Sequence, residues 1–313
     1  MGDFDVCVIG GGIAGMSAAK KCSDHGLSVL LLEALYTGGK TVKTEVISDY
    51  PGFPDGISGE KLTDLLEEAV RSRGVKILHE TVTSMDFSAP LKHIVTDRDS
   101  YTTPSVIIAT GIRQREIGLT NERALSGVGV FHSAEKEGFR VSGKTVAVFG
   151  SGNAALTEAL TLSEKCEKVY LISPNTILGA SKKYTDDLRR SKNITLCPES
   201  LIANAEQGIF LLESVTVINR VTTEFKTLPI EAIFVAPMPE PDSDVLLGSV
   251  RMTDDGAVIV GSDLSTSSEG VYAAGAVRDG SSFTVIDAIS DGFRAADSVN
   301  TYLVEKVFKG ATL

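Results

Sequence analysis

The chain begins with a short apolar run, a glycine cluster and a segment of helical spacing. Residues 5–9 (DVCVI) are largely apolar and lead into glycines at 10–12, after which residues 13–25 carry small and polar side chains at helical spacing. A second apolar run, residues 27–32 (LSVLLL), closes on Glu33. The pattern predicts a strand, a tight turn, a helix and a second strand, which together form a βαβ unit of about 30 residues.

The same pattern returns in the middle of the chain. Residues 145–149 (TVAVF) are followed by a glycine turn at 150–152, a helical segment at about 153–163 and an apolar run at 168–172. We therefore predict two Rossmann-type units. Residues 106–111 read as the exit from the first domain and 232–237 as the exit from the second, with the Pro-rich stretch PMPEPD after it as a hinge.

The remaining residues, from 243 on, resume strand and helix patterns and end in a helical segment at 284–308, which we expect to fold back onto the first domain. The 313 residues suit two domains, and 42% of them are hydrophobic and 23% charged, as in compact proteins. A net charge of −11 argues against nucleic-acid and anionic-membrane partners, because these require clustered Lys and Arg. Without a signal peptide or an apolar run near ~18 residues, we expect no membrane segment and a cytoplasmic location.

The four cysteines, Cys7, Cys22, Cys166 and Cys197, form no C-x-x-C pair. Their spacing favours ordinary reduced thiols over a disulfide, and no metal site is predicted.

The glycines of the first turn have the pattern G-x-G-x-x-G. Gly10 permits the tight turn, Gly12 lets a pyrophosphate approach the backbone, and Gly15 lets the helix pack closely on the strand. The helix N-terminus offers N–H donors to phosphate, and Glu33, about 20 residues on, can accept hydrogen bonds from an adenosine ribose. The combination predicts dinucleotide binding.

Further motifs resemble one family. They are TGGK at 37–40, TEV at 44–46, YPGFPDGI at 50–57, ATG at 109–111, GSGNAA at 150–155 and GVYAAG at 270–275. In this order they resemble the low-molecular-weight thioredoxin reductases, FAD-dependent pyridine nucleotide-disulfide oxidoreductases of class II, over nearly the whole chain. The resemblance implies an α/β fold of two Rossmann-like, three-layer ββα domains and a homodimer. It implies an FAD-binding domain at residues 1–112 and 243–313, and an NAD(P)-binding-like domain at 113–242 inserted into it.

The resemblance also implies where cofactors bind. Gly38 and Gly39 would let the backbone lie against the isoalloxazine, and the helix beginning at Thr284 or Val285 would aim N–H groups at the flavin pyrimidine. The predicted FAD-binding residues are Gly10, Gly12, Ile13, Ala14, Gly15, Glu33, Ala34, Gly38, Gly39, Lys40, Thr44, Val82, Ala109, Thr110, Gly111, Gly275, Ala276, Thr284 and Val285. The predicted second nucleotide pocket comprises Gly150, Ser151, Gly152, Asn153 and Ala154.

The sequence departs from the family at the redox dithiol. Relatives carry C-x-x-C before the second glycine turn, and counting back from Gly150 places Ser133 and Lys136 at its two cysteines. A serine hydroxyl cannot exchange disulfides, so disulfide reductase activity is not expected. Lys136 could instead place an ammonium near the flavin and His132 could relay a proton, although this hydrophilic run also fits a solvent-facing linker.

Two further departures concern nucleotide binding. The strand after the second glycine turn ends without an acid for an NAD ribose and without arginines for a 2′-phosphate; Lys182, Lys183, Arg189 and Arg190 further on could substitute or form a solvated helix face. NAD(P)H binding therefore stays open. Ala276 replaces an aspartate that holds the cofactor in relatives, and Asp279 is a candidate substitute.

Three functions remain in view. The first is an FAD-containing, thioredoxin-reductase-like oxidoreductase without the dithiol, whose flavin exchanges electrons with an unidentified donor and acceptor, such as a small electron-carrier protein. The second is a diaphorase of the ferredoxin/flavodoxin–NAD(P) reductase type, for which Arg113, Arg115 and Arg123 would form a basic patch. The third is a non-catalytic sensor or scaffold that binds flavin or nucleotide.

Overall fold

The computed structural model describes residues 2–114, 117–119, 122–175, 182–209, 211–236 and 239–310. The chain divides into two compact units, residues 1–113 with 240–313, and residues 114–239. The strands are β1 (Val6–Ile9), β2 (Val29–Glu33), β3 (Lys76–His79), β4 (Val82–Asp86), β5 (Lys92–Thr96), β6 (Ser100–Thr103), β7 (Ser105–Ile108), β8 (Ile112–Gln114), β9 (Val130–Phe131), β10 (Thr145–Phe149), β11 (Lys168–Ile172), β12 (Ile194–Cys197), β13 (Ser200–Gln207), β14 (Leu212–Asn219), β15 (Phe225–Leu228), β16 (Ala232–Val235), β17 (Pro239–Pro241) and β18 (Val271–Ala273). The helices are α1 (Ile13–Asp24), α2 (Gly59–Arg71), α3 (Glu122–Leu125), α4 (Ala134–Glu137), α5 (Gly152–Ser163), α6 (Lys182–Arg190) and α7 (Val285–Gly310).

The first unit is built on a parallel sheet with strand order β18-β7-β1-β2-β3. All four residues of β1 are buried, as expected for a central parallel strand covered on both faces. On one face, Met16 of α1, Val70 of α2 and Val299 of α7 pack against the sheet. On the other face, Ile94 and Tyr101 of the antiparallel sheet β4-β5-β6 cover it. These layers confirm the predicted three-layer ββα arrangement.

The second unit repeats this architecture with strand order β12-β11-β10-β16-β9, again parallel. Leu156 and Leu162 of α5 pack on one face of the sheet. Val215 and Val217 of the antiparallel sheet β13-β14-β15 pack on the other. Both faces of the parallel sheet are therefore closed by apolar contacts.

The structure differs from the sequence prediction at the predicted hinge. The end of the predicted hinge is extended, since Pro239–Pro241 forms β17 and pairs with β8. The final helix begins at Val285, the second of the two predicted starts, because Thr284 caps it: the Thr284 hydroxyl accepts the Asp287 N–H at 3.2 Å. No helix in the described part of the chain is both long and apolar enough to cross a membrane.

Candidate dinucleotide sites

The first glycine turn connects β1 to α1 with very little space around two of its glycines. Gly10 has φ +104°, and a Cβ there would lie 2.3 Å from the Ala109 carbonyl oxygen. A Cβ at Gly15 would lie 1.8 Å from the Gly10 carbonyl oxygen. Gly12, by contrast, has ordinary extended dihedrals and nothing within 4 Å of where its Cβ would be. The turn is therefore closed on its inner side and open at Gly12, where a pyrophosphate would approach.

The acid at the end of β2 faces this turn. The Glu33 carboxylate accepts the Gly11 N–H at 2.6 Å and the Leu35 N–H at 2.9 Å. These bonds fix the carboxylate at the edge of the turn while leaving acceptor capacity, because an ionised carboxylate has several lone-pair sites. The position fits the predicted contact with an adenosine ribose.

The predicted flavin-facing glycines lie against the same turn. The Gly38 N–H donates to the Gly11 carbonyl at 2.8 Å, and Gly12 and Gly38 form a parallel bridge. Gly38 and Gly39 both have positive φ, +93° and +57°. A side chain at Gly38 would collide with Val42 and Thr63, so the close approach requires glycine at this position.

The strand β7 ends beside Gly10 with a polar group that lacks a partner. The Ala109 N–H donates to the Ile9 carbonyl at 2.7 Å, and Gly111 comes two residues later with φ +75°. Between them, the buried Thr110 hydroxyl oxygen has no hydrogen-bond partner among the described residues. Buried hydroxyls normally have partners, so this oxygen fits a ligand that binds at the turn.

A buried ion pair that the sequence analysis missed holds the turn after β18. Gly275 has φ +78°, and a Cβ there would lie 2.6 Å from the Ala14 Cβ of α1. The Asp291 carboxylate, from α7, accepts the Gly275 N–H at 3.1 Å and the Arg278 Nε–H at 2.5 Å. The Asp291 side chain is only 3% exposed and that of Arg278 only 15%. In the sequence, Asp291 is an aspartate within the predicted final helix. Aspartates on helices are common at protein surfaces, so the sequence does not single it out as a buried ion-pair partner.

The other predicted FAD residues occupy mixed positions. Ile13 and Val285 share one apolar cluster, which also contains Tyr50 and Phe53 of the YPGFPDGI motif. Ala276 lies in a short 3-10 helix, Gly275–Val277, and is partly buried, whereas Asp279, its candidate substitute, is exposed. Three of the four other predicted FAD residues, Ala34, Lys40 and Thr44, face solvent. The fourth, Val82, is half-buried at the start of β4. Among the described residues, none of these four forms a hydrogen bond with the first glycine turn.

The second glycine turn connects β10 to α5. Gly150 has φ +150° and its N–H donates to the Ile172 carbonyl at 3.0 Å, while a Cβ there would lie 2.8 Å from the Ala236 Cβ. Gly152 has φ +72° and open space around its Cβ position. Ser151 precedes α5 without a side-chain capping bond, and Asn153 and Ala154 are exposed in its first turn. This turn has the same open face at its helix N-terminus as the first one.

The segment at the predicted dithiol positions is a hydrogen-bonded helix cap. The Ser133 hydroxyl accepts the Lys136 N–H at 3.3 Å and so caps α4. The Glu137 carboxylate accepts the His132 N–H at 3.0 Å and the Ser133 N–H at 3.3 Å. The side chains of His132 and Lys136 are exposed on the second unit. Ser133 and Glu137 thus form a reciprocal cap of the kind that stabilises helix starts.

The cations predicted to form a basic patch or to bind a ribose phosphate are either paired with carboxylates or exposed, where the structure describes them. Arg113 bonds Glu240 at 2.8 Å and Asp244 at 2.5 Å, so it is not an isolated cation; Arg115 lies outside the described residues, as does the side chain of Arg123. Lys182 and Lys183 are exposed. No group of His, Cys, Asp and Glu side chains in the described part of the chain is arranged to hold a metal ion.

Two ββα units, each with an open glycine turn at the carboxyl edge of a parallel sheet, are typical of proteins that bind two dinucleotides. The chain belongs to the pyridine nucleotide-disulphide oxidoreductase family, whose model matches residues 4–292. It is a thioredoxin-reductase-like, FAD-dependent oxidoreductase. The open Gly12 face and the unpartnered Thr110 hydroxyl fit FAD at the first turn.

Individual relatives agree with this assignment. Thioredoxin reductase from Treponema pallidum (strain Nichols) is 31% identical over 301 residues, which cover 96% of this chain and 97% of the relative. Thioredoxin reductase from Mycolicibacterium smegmatis is 32% identical over 304 residues, covering 96% and 97%. The crystal structure of Lactococcus lactis thioredoxin reductase in its FR conformation is similar with a TM-score of 0.76 at 28% identity, covering 97% of this chain and 100% of that one.

Proposed function

We propose that this flavoprotein takes electrons from a pyridine nucleotide and delivers them to an acceptor without a disulfide relay of its own. The proposal rests on Ser133, which stands where relatives carry one cysteine of the dithiol and whose hydroxyl caps α4 through the Lys136 N–H. Neither Ser133 nor Lys136 can form a disulfide. Held at the first glycine turn, FAD would supply two-electron redox chemistry: about two electrons would pass from a reduced nicotinamide, which would be oxidised, to the acceptor, which would be reduced.

The cysteines of the chain support this proposal. Cys22 and Cys7 contribute to the cores on opposite faces of the first sheet, and Cys166 and Cys197 contact opposite faces of the second. Burial raises the pKa of Cys22 to about 12 and also raises the pKa of Cys166 and Cys197. Since the thiolate is the reactive form, none of these thiols is suited to disulfide exchange.

The nature of the acceptor is narrowed by charge. A net charge of −11 and the carboxylates around Arg113 give little support for an acidic carrier such as ferredoxin. We propose a neutral or basic small electron carrier, or a small molecule. No observation favours the non-catalytic sensor, which turnover with any acceptor would exclude.

We also propose a homodimer, as the resemblance implies. Exposed apolar side chains at the start of α7 support it: Phe283 is 57% exposed and Ile286 and Phe293 are each 37% exposed. Large apolar side chains exposed close together in sequence are a feature of many interaction sites. Light scattering during size-exclusion chromatography tests the dimer, and a monomer at micromolar concentration would contradict it.

An anaerobic reductive titration tests the electron capacity. We expect full reduction to require about two electrons per bound FAD, because no disulfide is reduced with it, whereas an active dithiol would bring the total to about four. NAD(P)H should bleach the flavin and support reduction of a quinone or ferricyanide, but not of thioredoxin or an aromatic disulfide. A four-electron endpoint, or thioredoxin reduction at rates like those of its dye reduction, would refute the proposal.

A gain-of-function variant sharpens this test. The double variant Ser133→Cys, Lys136→Cys should raise the titration endpoint toward about four electrons, while Ser142→Cys with Lys144→Cys, on the same unit, should not. An unchanged endpoint in both would mean that residues 133 and 136 are not equivalent to the family's dithiol.

A further inference from the structure

The end of β11 in the second unit is electrically neutral. The buried Ser173 comes directly after the strand, and its hydroxyl donates to the Asn175 carbonyl at 2.5 Å, which curls the backbone there. The Gly150 N–H donates to the carbonyl of Ile172, just before Ser173, so this segment and the glycine turn lie at the same edge of the sheet. In Rossmann units this is the place where an acid binds an unphosphorylated ribose and repels a 2′-phosphate. Neither effect operates at Ser173.

An arginine from a distant part of the unit reaches this edge. Arg220 lies directly after β14, and one guanidinium nitrogen donates to the Pro174 carbonyl at 3.3 Å. Its backbone N–H donates to the Glu199 carbonyl at 2.6 Å. Within the described ranges Arg220 forms no ion pair, and its side chain is exposed. A guanidinium has several N–H donors, so most of them remain available for a ligand.

The turn that carries Arg220 is well fixed. The Asn219 side chain accepts the N–H groups of Val221 and Thr222, each at 2.9 Å, and donates to the Pro198 carbonyl at 3.3 Å. These bonds tie the turn after β14 to the segment between β12 and β13. The backbone position of Arg220 therefore does not depend on its own side-chain contact.

Arg189 and Arg190 of this unit are less suited than Arg220 to bind a phosphate at the end of β11. Arg189 and Arg190 lie on α6 with side chains about 80% exposed, each near an aspartate of the same helix, at 3.6 and 3.5 Å. These are solvent-facing i,i+3 pairs. No described hydrogen bond connects either arginine to the end of β11.

We propose that Arg220 determines nucleotide specificity by binding the 2′-phosphate of a phosphorylated pyridine dinucleotide at the second glycine turn. The planar guanidinium fork matches a phosphate in a bidentate way, and no acid at Ser173–Asn175 opposes it. The inference rests on the proposed function, because it assumes that the second unit holds the nucleotide. It replaces the family's local arginines with one from a position 46 residues further along the chain.

Calorimetry with two fragments tests this on the FAD-loaded protein. Adenosine 2′,5′-bisphosphate and 5′-AMP differ only by the 2′-phosphate. We expect the wild-type chain to bind the bisphosphate at least about tenfold more tightly. Arg220→Ala should weaken bisphosphate binding about 10- to 30-fold and leave 5′-AMP unchanged, and Arg220→Lys should lie between, because it keeps the charge and loses the fork. Arg189→Ala should keep the preference.

The outcomes separate this inference from the proposed function. The inference is overturned if the wild-type chain binds the two fragments equally, if Arg220→Ala keeps the preference, or if Arg189→Ala removes it. In each of these cases NAD(P)H can still reduce the flavin, and the proposed function stands. If neither fragment binds and neither NADH nor NADPH reduces the flavin, the nucleotide donor itself is wrong and both fall together.

Discussion

The two glycine turns of this chain come from the same local pattern and differ in the polar residue at the carboxyl end of the strand that follows each turn. Gly10 and Gly150 both adopt positive φ after a buried parallel strand, and each turn leads into a helix with an open N-terminus. At the end of β2, however, the Glu33 carboxylate bonds back to the first turn, whereas after β11 the described hydrogen bonds of the Ser173 hydroxyl are only to the backbone of Asn175. Glycine and apolar residues set the shape of the site, and one residue at the end of the second strand sets its charge.

The turns also differ in how neighbouring elements support them. The first is backed by Gly275, whose N–H is held by the buried Asp291, while the second packs against Ala236 through apolar contact. A polar brace is sensitive to the loss of one partner in a way that an apolar contact is not. This contrast gives the largest expected effect.

Asp291→Ala should destabilise the first unit by about 3–5 kcal/mol, because it leaves the buried Arg278 guanidinium and the Gly275 N–H without their acceptor. Urea unfolding followed by circular dichroism and by FAD release measures the change. Asp297→Ala is the matched control on the same helix: its carboxylate is 56% exposed and pairs with Lys21 and His25, so it should cost less than about 1 kcal/mol. Equal losses of unfolding free energy in the two variants would show that the buried Asp291–Arg278 pair stabilises the fold no more than an exposed ion pair does.

Gly12→Ala should release FAD while leaving the apoprotein folded. Gly12 has ordinary dihedrals and open space at its Cβ position, so alanine is tolerated, but the methyl group would occupy the approach of the pyrophosphate. We expect about a 100-fold weaker FAD affinity, equivalent to roughly 2.7 kcal/mol, with a nearly unchanged apoprotein Tm.

Gly152→Ala provides the counterpart in the second turn. Its positive φ adds a strain of about 1–2 kcal/mol, yet FAD content should stay at the wild-type level because the substitution lies in the other unit. The ratio of absorbance at the flavin band to that of the protein, after dialysis, distinguishes the two variants. FAD retained by Gly12→Ala, or lost from Gly152→Ala, would break the assignment of the first turn to FAD.

How much of the molecule is visible in the sequence depends on the range of the interactions. The β–turn–α segments are predictable from local periodicity and from glycines whose neighbours are close in sequence, and both ββα units are predicted correctly. Strand β17 is missed because two prolines read as a hinge, although proline is tolerated in short edge strands.

Long-range polar contacts could not be predicted. Asp291 and Arg278 are separated by 13 residues and Arg220 and Pro174 by 46, and each pair meets only because the sheets bring helix and turn ends together. The cap at Ser133, by contrast, is a local feature. The pattern S-A-E-K-E is typical of a helix start, although a solvent-facing linker is the only structure predicted for it from the sequence. Local patterns thus predict the frame of both sites, and tertiary contacts supply their charged partners.

Thr110→Val tests whether the unpartnered hydroxyl serves the ligand. The apoprotein should keep its stability, because no described hydrogen bond of the Thr110 side chain is lost, while FAD affinity should fall about 3- to 10-fold. Thr103→Val, just before the other end of β7, should behave in the opposite way: its hydroxyl donates to the Ser105 carbonyl at 3.0 Å, so stability should fall by about 1 kcal/mol with FAD affinity unchanged. Unfolding curves of the apoproteins measure the stability, and flavin-fluorescence titrations measure the FAD affinity. A Thr110→Val variant that loses stability but keeps its FAD affinity would contradict the prediction.

The smallest expected effect concerns pH and the helix cap of the second unit. Burial raises the pKa of Glu158, the nearby Glu135 and Glu137 add to this, and the hydrogen bond from the Ala134 N–H opposes it. A carboxyl whose pKa is higher in the folded state favours folding when protonated, so its contribution is present below the unfolded pKa, about 4.5, and is lost as pH rises through the folded pKa.

Glu158→Gln should therefore gain stability relative to the wild-type chain between about pH 4 and pH 7. Urea unfolding at both pH values measures the free energy of unfolding of each protein. Glu164→Gln, at an exposed position at the C-terminal end of the same helix, is the control for the general effect of losing one carboxylate. A relative loss of stability on raising the pH would mean that the Ala134 hydrogen bond outweighs burial, and that the cap at residues 133–137 needs the ionised carboxylate.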